Sequence, residues 1–344
     1  MTVAILALSL HTEVEMGLKK ILVIGGGGYI GSNMLLALEA AAAPTIVLDN
    51  FSTGYRDAVR WGELVEGDVA DAALLDRVFL EHEVSAVVHF ASFIQVAESV
   101  SRPDKYYANN VANTITLLNA MVKHGVKHIV FSSSAAVYGA PSYVPIDESH
   151  AKAPLHAYGR SKLIVEEILR DYDAAFGLKS VCLRYFNAAG ADPLCRAGER
   201  HVPETHLIPL AIRAAISGER LSVYGRDYPT KDGTCIRDYV HVTDLCSAHV
   251  LALEFLSSDH TSVCLNLGAG EGHSVLDIAA AVQSALDRPV ELDFRERRSG
   301  DPPVLVADAT RAQKTLGWTP KFPNLKLMVS HAAAWEQHLS QQPL

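Results

Sequence analysis

The chain has 344 residues, of which 49% are hydrophobic, and this is enough for a sizeable core and about two domains. A short peptide, a disordered tail and a collagen are therefore excluded. Thirty Lys and Arg against thirty-nine Asp and Glu give a net charge of −9, and no basic run is present that could neutralise a line of phosphates, so no nucleic-acid partner is predicted.

Residues 1–17 are predicted to be an N-terminal extension. The apolar run over residues 3–10 lacks a basic flank and a cleavage site, and it is too short to cross a bilayer, so neither secretion nor a membrane partner is expected. Met16 directly precedes the first convincing strand, which leaves Met1 and Met16 open as the working start. The five cysteines are odd in number and form no C-x-x-C pair, which favours reduced thiols in a cytoplasmic protein.

From Lys20 onward, short apolar runs alternate with longer helical patterns, as is typical of a parallel sheet covered by helices. The runs lack polar alternation, so the strands are expected to be buried on both faces. The predicted strands are 21–24, 45–48, 63–67, 86–90, 128–131 and 180–184.

One long helix is predicted to begin at Pro103, a residue suited to a first helical turn, and to end at Gly125. Its apolar stripe is expected to cover the sheet. The stripe consists of Val111, Ile115, Leu118 and Val122.

The first strand runs directly into a glycine-rich turn that satisfies both G-x-G-x-x-G and G-x-x-G-x-x-G, and a helical pattern follows it. Such a turn lets the backbone approach a pyrophosphate, which then lies at the helix N-terminus. Asp49 closes the second strand 18 residues after Gly31, where a carboxylate accepts hydrogen bonds from both adenosine ribose hydroxyls and repels a 2′-phosphate. The pattern therefore predicts NAD binding. Asp68, at the end of the third strand-like run, is a candidate acceptor for the adenine amino group, or a plain strand-end residue.

The fold class predicted is α/β: a Rossmann-type doubly wound parallel sheet with a smaller, interleaved C-terminal substrate lobe. The NAD-binding domain is assigned to residues 18–185, with later returns of the chain near 238–267 in two sheet-like segments, 238–242 and 263–267. Residues 186–344 are assigned mainly to the substrate-binding lobe, because loops rich in glycine, proline and charge separate shorter elements there.

Tyr158 and Lys162 stand four residues apart at the start of a predicted helix that runs to Phe176 and ends at Gly177. One helical turn separates them, so the phenol and the ammonium share a face, and a nearby cation favours the phenolate. Ser134 ends the preceding strand, where loop hydroxyls point into the ligand crevice of a parallel sheet. The three residues are therefore the catalytic candidates. No metal site is predicted, because the sequence contains no H-E-x-x-H and no zinc-type cysteine spacing. The absence of G-x-S-x-G argues against a serine hydrolase.

Several longer motifs resemble the extended short-chain dehydrogenase/reductases, and within them the UDP-glucose 4-epimerases. The resemblance runs from about Leu18 to about Trp335, and Asp-Tyr-Pro-Thr is its most epimerase-specific segment. The motifs are Gly-Tyr-Ile-Gly-Ser at 28–32, Leu-Asp-Asn at 48–50, Glu-Gly-Asp at 66–68, His-Phe-Ala at 89–91, Ser-Ser-Ser-Ala-x-Val-Tyr-Gly at 132–139, Arg-Tyr-Phe-Asn at 184–187, Asp-Tyr-Pro-Thr-x-Asp-Gly-Thr at 227–234 and Arg-Asp-Tyr-Val-His-Val-x-Asp at 237–244.

The resemblance implies a role for each matching position. The catalytic residues are Ser134, Tyr158 and Lys162. The cofactor contacts implied are Gly25, Gly28, Tyr29, Ile30, Gly31, Asp49, Asn50, Asp68, Val69, Phe90, Ala91, Asn110, Tyr158, Lys162 and Tyr185, and the UDP-sugar contacts are Ser134, Tyr158, Asn187, His206, Leu207, Arg237, Arg298 and Asp301.

The reaction implied is the interconversion of UDP-glucose and UDP-galactose. Tyr158 takes the proton from the sugar O4 while C4 passes a hydride to tightly bound NAD, and the 4-keto sugar then turns and accepts the hydride on its opposite face. The resemblance also implies a homodimer. This chain departs from many relatives at Ile94, where they carry Lys, and at His206, where some carry Asn. Leu305 occupies the position associated with admission of N-acetylated sugars.

Three alternatives remain open: a UDP-N-acetylglucosamine 4-epimerase, a UDP-sugar decarboxylase or dehydratase, and a non-catalytic NAD-sensing protein. A dehydratase typically has Asp-Glu where this chain has Ala135 and Ala136. A sensing protein would have no reason to keep all three catalytic candidates.

Overall fold

The computed structural model describes residues 19–298 and 300–341. The predicted extension over 1–17 and the alternative start at Met16 lie outside these residues. No helix within the described part of the chain combines the length and the apolar character needed to cross a membrane.

A sheet of seven parallel strands forms the centre of the molecule, in the order β10-β6-β5-β4-β1-β2-β3. The apolar runs of the sequence form these strands. The inner strands are buried on both faces, whereas the edge strand Glu63–Glu66 is half-buried to exposed, and the predicted α/β doubly wound fold is confirmed. The strands are β1 (Lys20–Ile24), β2 (Thr45–Asp49), β3 (Glu63–Glu66), β4 (Val84–His89), β5 (His128–Ser134), β6 (Lys179–Tyr185) and β10 (Val263–Leu267).

Helices cover both faces of this sheet, and side chains that alternate along each strand divide the core into two layers. Val23 and Val47 pack on one side with α1 (Tyr29–Ala40), α8 (Val242–Ser257) and α10 (Thr310–Leu316). The next residues along the same strands, such as Leu22 and Leu48, pack on the other side. The helices of that second layer are α2 (Ala72–Glu81), α5 (Asn113–Lys123) and α6 (Ala157–Phe176).

The long helix predicted from Pro103 to Gly125 is interrupted by a wide turn. It consists of α4 (Pro103–Tyr106), a π-helical segment (Tyr107–Ala112) and α5, after the short α3 (Val96–Ser101). Of the predicted apolar stripe, Leu118 is fully buried, and Val111 and Val122 are partly buried and pack against the same core layer. The face turned inward includes the polar Asn110 and Thr114, which a search for apolar periodicity leaves out.

The rest of the chain forms two small sheets and a helical layer. Of the two predicted returns, 263–267 joins the large sheet as β10, whereas the other forms β9 and pairs with β7, β11 and β13. The division into two domains stays a prediction. The strands are β7 (Asn187–Ala189), β8 (Leu221–Tyr224), β9 (Ile236–His241), β11 (Gly272–Ser274), β12 (Leu292–Arg295) and β13 (Val304–Leu305), and the helices are α7 (Leu207–Ser217), α9 (Val275–Leu286) and α11 (Leu325–Gln341).

Candidate active site

The carboxyl edge of the large sheet gathers most of the residues singled out in the sequence. In a parallel sheet all strands end at this edge, and the connections after them form the ligand crevice. The glycine turn follows β1, Asp49 ends β2, Asp68 follows β3, Ser134 ends β5 and Tyr185 ends β6. One crevice is therefore lined by residues that lie far apart in the sequence.

The glycine turn joins β1 to α1 with backbone packed against backbone. A Cβ on Gly25 would lie 2.7 Å from the Ala91 nitrogen, and one on Gly31 would lie 2.1 Å from the Gly25 carbonyl oxygen. Gly28 is the N-cap of α1, and no side chain caps the helix or adds a negative charge to its first turn. A Cβ on Gly28 would approach the protein no closer than 3.5 Å. The positive end of α1 is therefore free to receive an anionic group.

Two carboxylates follow neighbouring strands beside this turn. Asp49 is buried, and its carboxylate accepts hydrogen bonds from the Gly27 N–H at 2.7 Å and the Phe51 N–H at 2.8 Å. Asn50 donates to Asp68 at 2.7 Å and links the ends of β2 and β3. Val69, next to Asp68, is buried.

Asn110 fixes the connection that follows β4. Its amide accepts a hydrogen bond from the Phe93 N–H at 2.9 Å and donates to the Phe93 carbonyl at 3.0 Å. The same amide donates to the Ser161 hydroxyl on α6 at 3.1 Å. Phe90 and Ala91 donate their backbone N–H groups to the Ile24 carbonyl, at the start of the glycine turn. The predicted cofactor contacts after β4 thus lie between the glycine turn and α6.

The three catalytic candidates meet where α6 starts against the end of β5. The Lys162 ammonium is buried and donates to the Ser132 carbonyl at 2.8 Å. Ser134 forms a hydrogen bond with the Tyr158 phenol and accepts one from the Ala136 N–H at 3.1 Å. The Lys162 nitrogen lies 5.9 Å from the centre of the Tyr158 ring. The Ser132 and Tyr185 hydroxyls form a further close hydrogen bond beside this group.

Burial affects the two titratable members of the trio differently. It raises the pKa of the Tyr158 phenol above its ordinary value of 10, and the hydrogen bond with Ser134 acts in the opposite direction. Burial lowers the pKa of Lys162 to about 7, against the attraction of the Glu166 carboxylate. Acidification of Tyr158 by the Lys162 ammonium stays a prediction.

The residues assigned to the UDP-sugar fall into separate groups. Arg237 in β9 donates to the Asp301 carboxylate at 2.6 Å and to the Pro302 carbonyl at 2.9 Å, and Leu305 lies opposite Arg237 in β13. Asn187 in β7 donates to the Asp238 carbonyl at 2.8 Å. Arg298 instead stacks on the Tyr224 ring, with its guanidinium carbon 3.9 Å from the ring centre.

His206 and Leu207 lie at the start of α7, where His206 is the N-cap. The His206 Nδ1 lies 2.6 Å from a Glu199 carboxylate oxygen and 3.0 Å from one of Glu204. Burial alone would lower the pKa of His206, but the two carboxylates raise it to about 10. His201 also contacts Glu199, so two imidazoles and two carboxylates face one another here.

Sequence reasoning missed two groups behind the catalytic candidates. Glu166, one helical turn after Lys162, forms a buried ion pair with Arg184 of β6, and the spacing from Lys162 is the only signal the sequence offers for it. His89 ends β4, and its Nε2 lies 3.0 Å from the Thr114 hydroxyl. Burial, together with the nearby Lys162 charge, lowers the pKa of His89 to about 3.

Comparisons with known proteins agree with this geometry. The model of the NAD dependent epimerase/dehydratase family matches residues 21–268. The UDP-glucose 4-epimerase of Azospirillum brasilense is 50% identical over 333 residues, which are 96% of this chain and 95% of that protein. A crystal structure of UDP-glucose 4-epimerase from Brucella ovis in complex with NAD superposes with a TM-score of 0.90 at 47% identity, covering 92% of this chain and 98% of that one. The enzyme from Bifidobacterium longum, in complex with NAD+ and UDP, gives a TM-score of 0.88 at 36% identity, with coverage of 93% and 98%.

Proposed function

The chain belongs to the NAD dependent epimerase/dehydratase family, and we propose that it interconverts UDP-glucose and UDP-galactose by epimerisation at C4. The observation that carries this proposal is the meeting of Ser134, Tyr158 and Lys162 at the carboxyl edge of the sheet, next to a glycine turn built for an anion. Relatives that are named UDP-glucose 4-epimerase cover nearly the whole chain. The enzyme is therefore an isomerase.

The residues beside the glycine turn fit NAD. The first turn of α1 carries no acidic residue, and Gly28 leaves room where a pyrophosphate approaches the helix. Asp49 already accepts two backbone hydrogen bonds, which hold its carboxylate at the end of β2, where a ribose hydroxyl would meet it. A fixed negative charge at this place favours NAD over NADP, because a 2′-phosphate would be repelled. Asn110, Phe90, Ala91 and Tyr185 are the further residues that would hold the cofactor.

The side chains of this protein supply proton transfer and orientation. Bound NAD supplies the hydride acceptor for C4 and, in its oxidised form, a positive charge that favours the Tyr158 phenolate. Tyr158 takes the proton from the sugar O4, and it returns the proton after the 4-keto sugar has turned. Ser134 hydrogen bonds to the phenol and is placed to hold O4 against it. Lys162, fixed by the Ser132 carbonyl, lies one helical turn from the phenol, where its charged form would favour the phenolate.

The diphosphate and the uridine are assigned to the second lobe. Arg237, which is paired with Asp301, and Arg298, which lies on Tyr224, are the two guanidiniums that would bind diphosphate oxygens, and Arg237 would exchange its present contacts for them. Asn187, His206 and Leu207 complete the proposed contacts. Dehydration is disfavoured, because Ala135 and Ala136 form the turn after Ser134 and offer no acid or base.

The proposal places the enzyme in the cytoplasm as a homodimer. The cysteine usage supports this compartment, and all five cysteines are free in the structure. Light scattering of the purified protein measures the dimer directly. A monomeric mass at the enzyme concentration used in the assay would contradict the predicted dimer but not the proposed reaction.

The function is tested by incubating the purified enzyme with UDP-galactose and, in parallel, with UDP-N-acetylgalactosamine. We expect conversion of UDP-galactose to UDP-glucose without added cofactor, and release of NAD when the protein is denatured. Conversion of the N-acetylated sugar alone would instead indicate a UDP-N-acetylglucosamine 4-epimerase. No conversion of either sugar by protein that contains NAD would contradict the proposed function.

A further inference from the structure

Four side chains in the segment between β7 and α7 direct their donor atoms toward one another. Glu199, His201, Glu204 and His206 each offer one nitrogen or oxygen atom, and these four atoms all lie within 4.8 Å of one another. The pattern E-x-H-x-x-E-x-H places all of them in a single short stretch. We refer to these four residues as the Glu-His cluster. It was not predicted from the sequence, because the spacing matches neither H-E-x-x-H nor a cysteine-based zinc motif.

The cluster is enclosed on one side and open on the other. The side chains of Glu199 and Glu204 are only 7% and 2% exposed, whereas those of His201 and His206 are 23% and 41% exposed. A small ion can therefore enter past the imidazoles and reach the buried carboxylates. Buried carboxylates need positive charge close by, and the groups that face these two are the imidazoles and the Arg213 guanidinium, 3.9 Å from Glu204.

One carboxylate oxygen in the cluster has no hydrogen-bond partner. Oε1 of Glu204 accepts from the Thr205 and His206 N–H groups at 2.7 and 2.8 Å, but Oε2 is buried and accepts from no donor in the described part of the chain. The Arg213 guanidinium lies 3.9 Å from Oε2, beyond hydrogen-bond distance. An unpartnered buried acceptor costs about 1 to 3 kcal/mol, and more when it is charged. Oε2 can therefore accept a cation, while Oε1 is the Glu204 oxygen that lies 3.0 Å from the His206 Nδ1.

We propose that the Glu-His cluster binds one divalent metal ion, with Zn²⁺ as the preferred ion. His206 would coordinate the ion through Nδ1, which faces both carboxylates, and its Nε2 remains for the proposed contact with the UDP-sugar. Two neutral imidazoles and two carboxylates carry a charge of −2 and form the nitrogen and oxygen set that Zn²⁺ accepts in four-coordinate sites. Tetrahedral ligands at about 2.0 to 2.1 Å from Zn²⁺ stand roughly 3.4 Å apart. The His206 Nδ1 lies 2.6 Å from the Glu199 oxygen and 3.0 Å from the Glu204 oxygen, so these two pairs would open by about 0.8 and 0.4 Å to accept the ion.

Contacts outside the cluster hold the ligands in place. The Trp335 indole on α11 donates to the Glu199 carbonyl at 2.7 Å and fixes the backbone of the first ligand. The backbone N–H groups of Thr205 and His206 both donate to the Glu204 carboxylate and orient it. Ligands supported by such hydrogen bonds bind metal more tightly than unsupported ones.

The position of the cluster gives the ion a structural role. The Tyr29 hydroxyl at the start of α1 donates to the Gly190 carbonyl at 2.6 Å, and the Tyr29 ring meets the edge of the His201 ring with centres 6.4 Å apart. Arg200, inside the same segment, pairs with Asp57 in the connection after β2. An ion in the cluster therefore stiffens a segment that is docked across the glycine turn. If the turn holds NAD, as the proposed function states, the ion also slows the release of NAD.

The experiment is a calorimetric titration of Zn²⁺ into the full chain after treatment with EDTA, in a buffer that does not bind zinc. We expect one high-affinity Zn²⁺ per chain and an affinity at least 100-fold lower in the ligand variants His201→Gln and Glu204→Gln. The matched control is His260→Gln, an exposed histidine outside the cluster, which should bind like the wild type. Binding well below one ion per chain, or equal binding by all three variants, would overturn the proposal and leave the cluster as a proton-linked ion network.

If the ligand variants do not fold, a second measurement on the wild-type chain alone still tests the proposal. One equivalent of Co²⁺ should give the intense visible bands of a tetrahedral site, and Zn²⁺ should displace them. A weak spectrum like that of hydrated Co²⁺ would also overturn the proposal. Both readouts are independent of turnover, so Zn²⁺ binding by a chain without epimerase activity would contradict the proposed function and leave the metal site standing.

Discussion

Glu166 and Arg184 form a bidentate ion pair behind the catalytic candidates. The Arg184 Nε and Nη2 atoms lie 2.8 and 2.6 Å from the two Glu166 oxygens, and the side chains are only 4% and 2% exposed. Ser133 donates to the same carboxylate at 2.5 Å, and the Tyr138 hydroxyl accepts from Arg184 at 2.9 Å. This pair connects α6 to β5 and β6, and thereby sets the distance between the helix that carries Tyr158 and the strand that carries Ser134.

Glu166→Gln should destabilise the protein strongly. The substitution leaves the Arg184 guanidinium buried without a counter-charge, which typically costs about 3 to 5 kcal/mol. Urea denaturation of the wild type, Glu166→Gln and the exposed neighbour Glu167→Gln measures the difference. A loss below about 1 kcal/mol for Glu166→Gln, or an equal loss in both variants, would contradict this reading of the pair.

Tyr158→Phe should lower turnover of UDP-galactose by about 10²- to 10⁴-fold, because it removes the group that moves the O4 proton. The amount of NAD retained by the purified protein should stay close to that of the wild type. Tyr172→Phe, on the same helix, is the control, since that hydroxyl donates to Asn119 at the surface, away from the catalytic candidates. Full turnover in Tyr158→Phe would assign the proton transfer to another group.

Two alanine substitutions in the glycine turn should separate folding from cofactor binding. Gly31→Ala places a Cβ 2.1 Å from the Gly25 carbonyl oxygen, so it should lower the melting temperature and the NAD content together. Gly28→Ala meets no protein atom closer than 3.5 Å, so the protein should stay folded but lose NAD, because the methyl group occupies the approach of the pyrophosphate. Melting curves and NAD release measure the two effects. Wild-type NAD content in Gly28→Ala would argue against a pyrophosphate site at the start of α1.

Asp49→Asn should weaken the preference for NAD over NADP by roughly tenfold, which corresponds to about 1.4 kcal/mol. The amide oxygen can accept from only one of the Gly27 and Phe51 N–H groups, because they bond to different oxygens of the carboxylate, and the charge that repels a 2′-phosphate is lost. Competition between the two dinucleotides for protein stripped of cofactor gives the ratio of dissociation constants. An unchanged ratio would place the source of selectivity elsewhere.

The buried His249 should make the protein less stable in mild acid. Its Nδ1 donates to the Leu245 carbonyl at 2.8 Å, its Nε2 is buried without a partner, and burial lowers its pKa from 6.5 to about 4. Between these values the unfolded chain binds the proton and the folded chain does not, so the free energy of unfolding falls as the pH drops from about 6.5 toward 4. The fall attributable to this group is about 1.4 kcal/mol per pH unit. Denaturation between pH 7 and 4.5 should show a shallower slope for His249→Leu than for the wild type, and an unchanged slope for the surface control His260→Gln.

Local sequence patterns predicted the parts of the fold that depend on local physics. The seven strands follow from apolar runs, and the helix from the start of α6 to Phe176 ends at Gly177, which takes the left-handed conformation that glycine favours. The glycine turn lies between β1 and α1 because its spacing encodes both the bend and the helix start. These features require information from only about thirty neighbouring residues.

The parts that were missed depend on contacts between distant segments. The Glu166–Arg184 pair joins a helix to a strand, and neither residue has a partner recognisable in its own sequence neighbourhood. Thr114 faces inward because it meets His89 from β4, so its burial cannot be read from apolar periodicity. The partners of β9 come from three separate regions of the chain, and this is why a sheet-like segment could be recognised while its sheet could not.

The order of the strands also governs how the molecule is made. β10 completes the large sheet beside β6, but the chain forms β7, α7, β8, β9 and α8 before it reaches Val263. During synthesis β6 therefore remains an unpaired edge after the first six strands have left the ribosome, and such an edge invites pairing with other chains. A polypeptide halted before Val263 would expose this edge permanently, so truncated products of translation should be far more prone to aggregate than the finished chain.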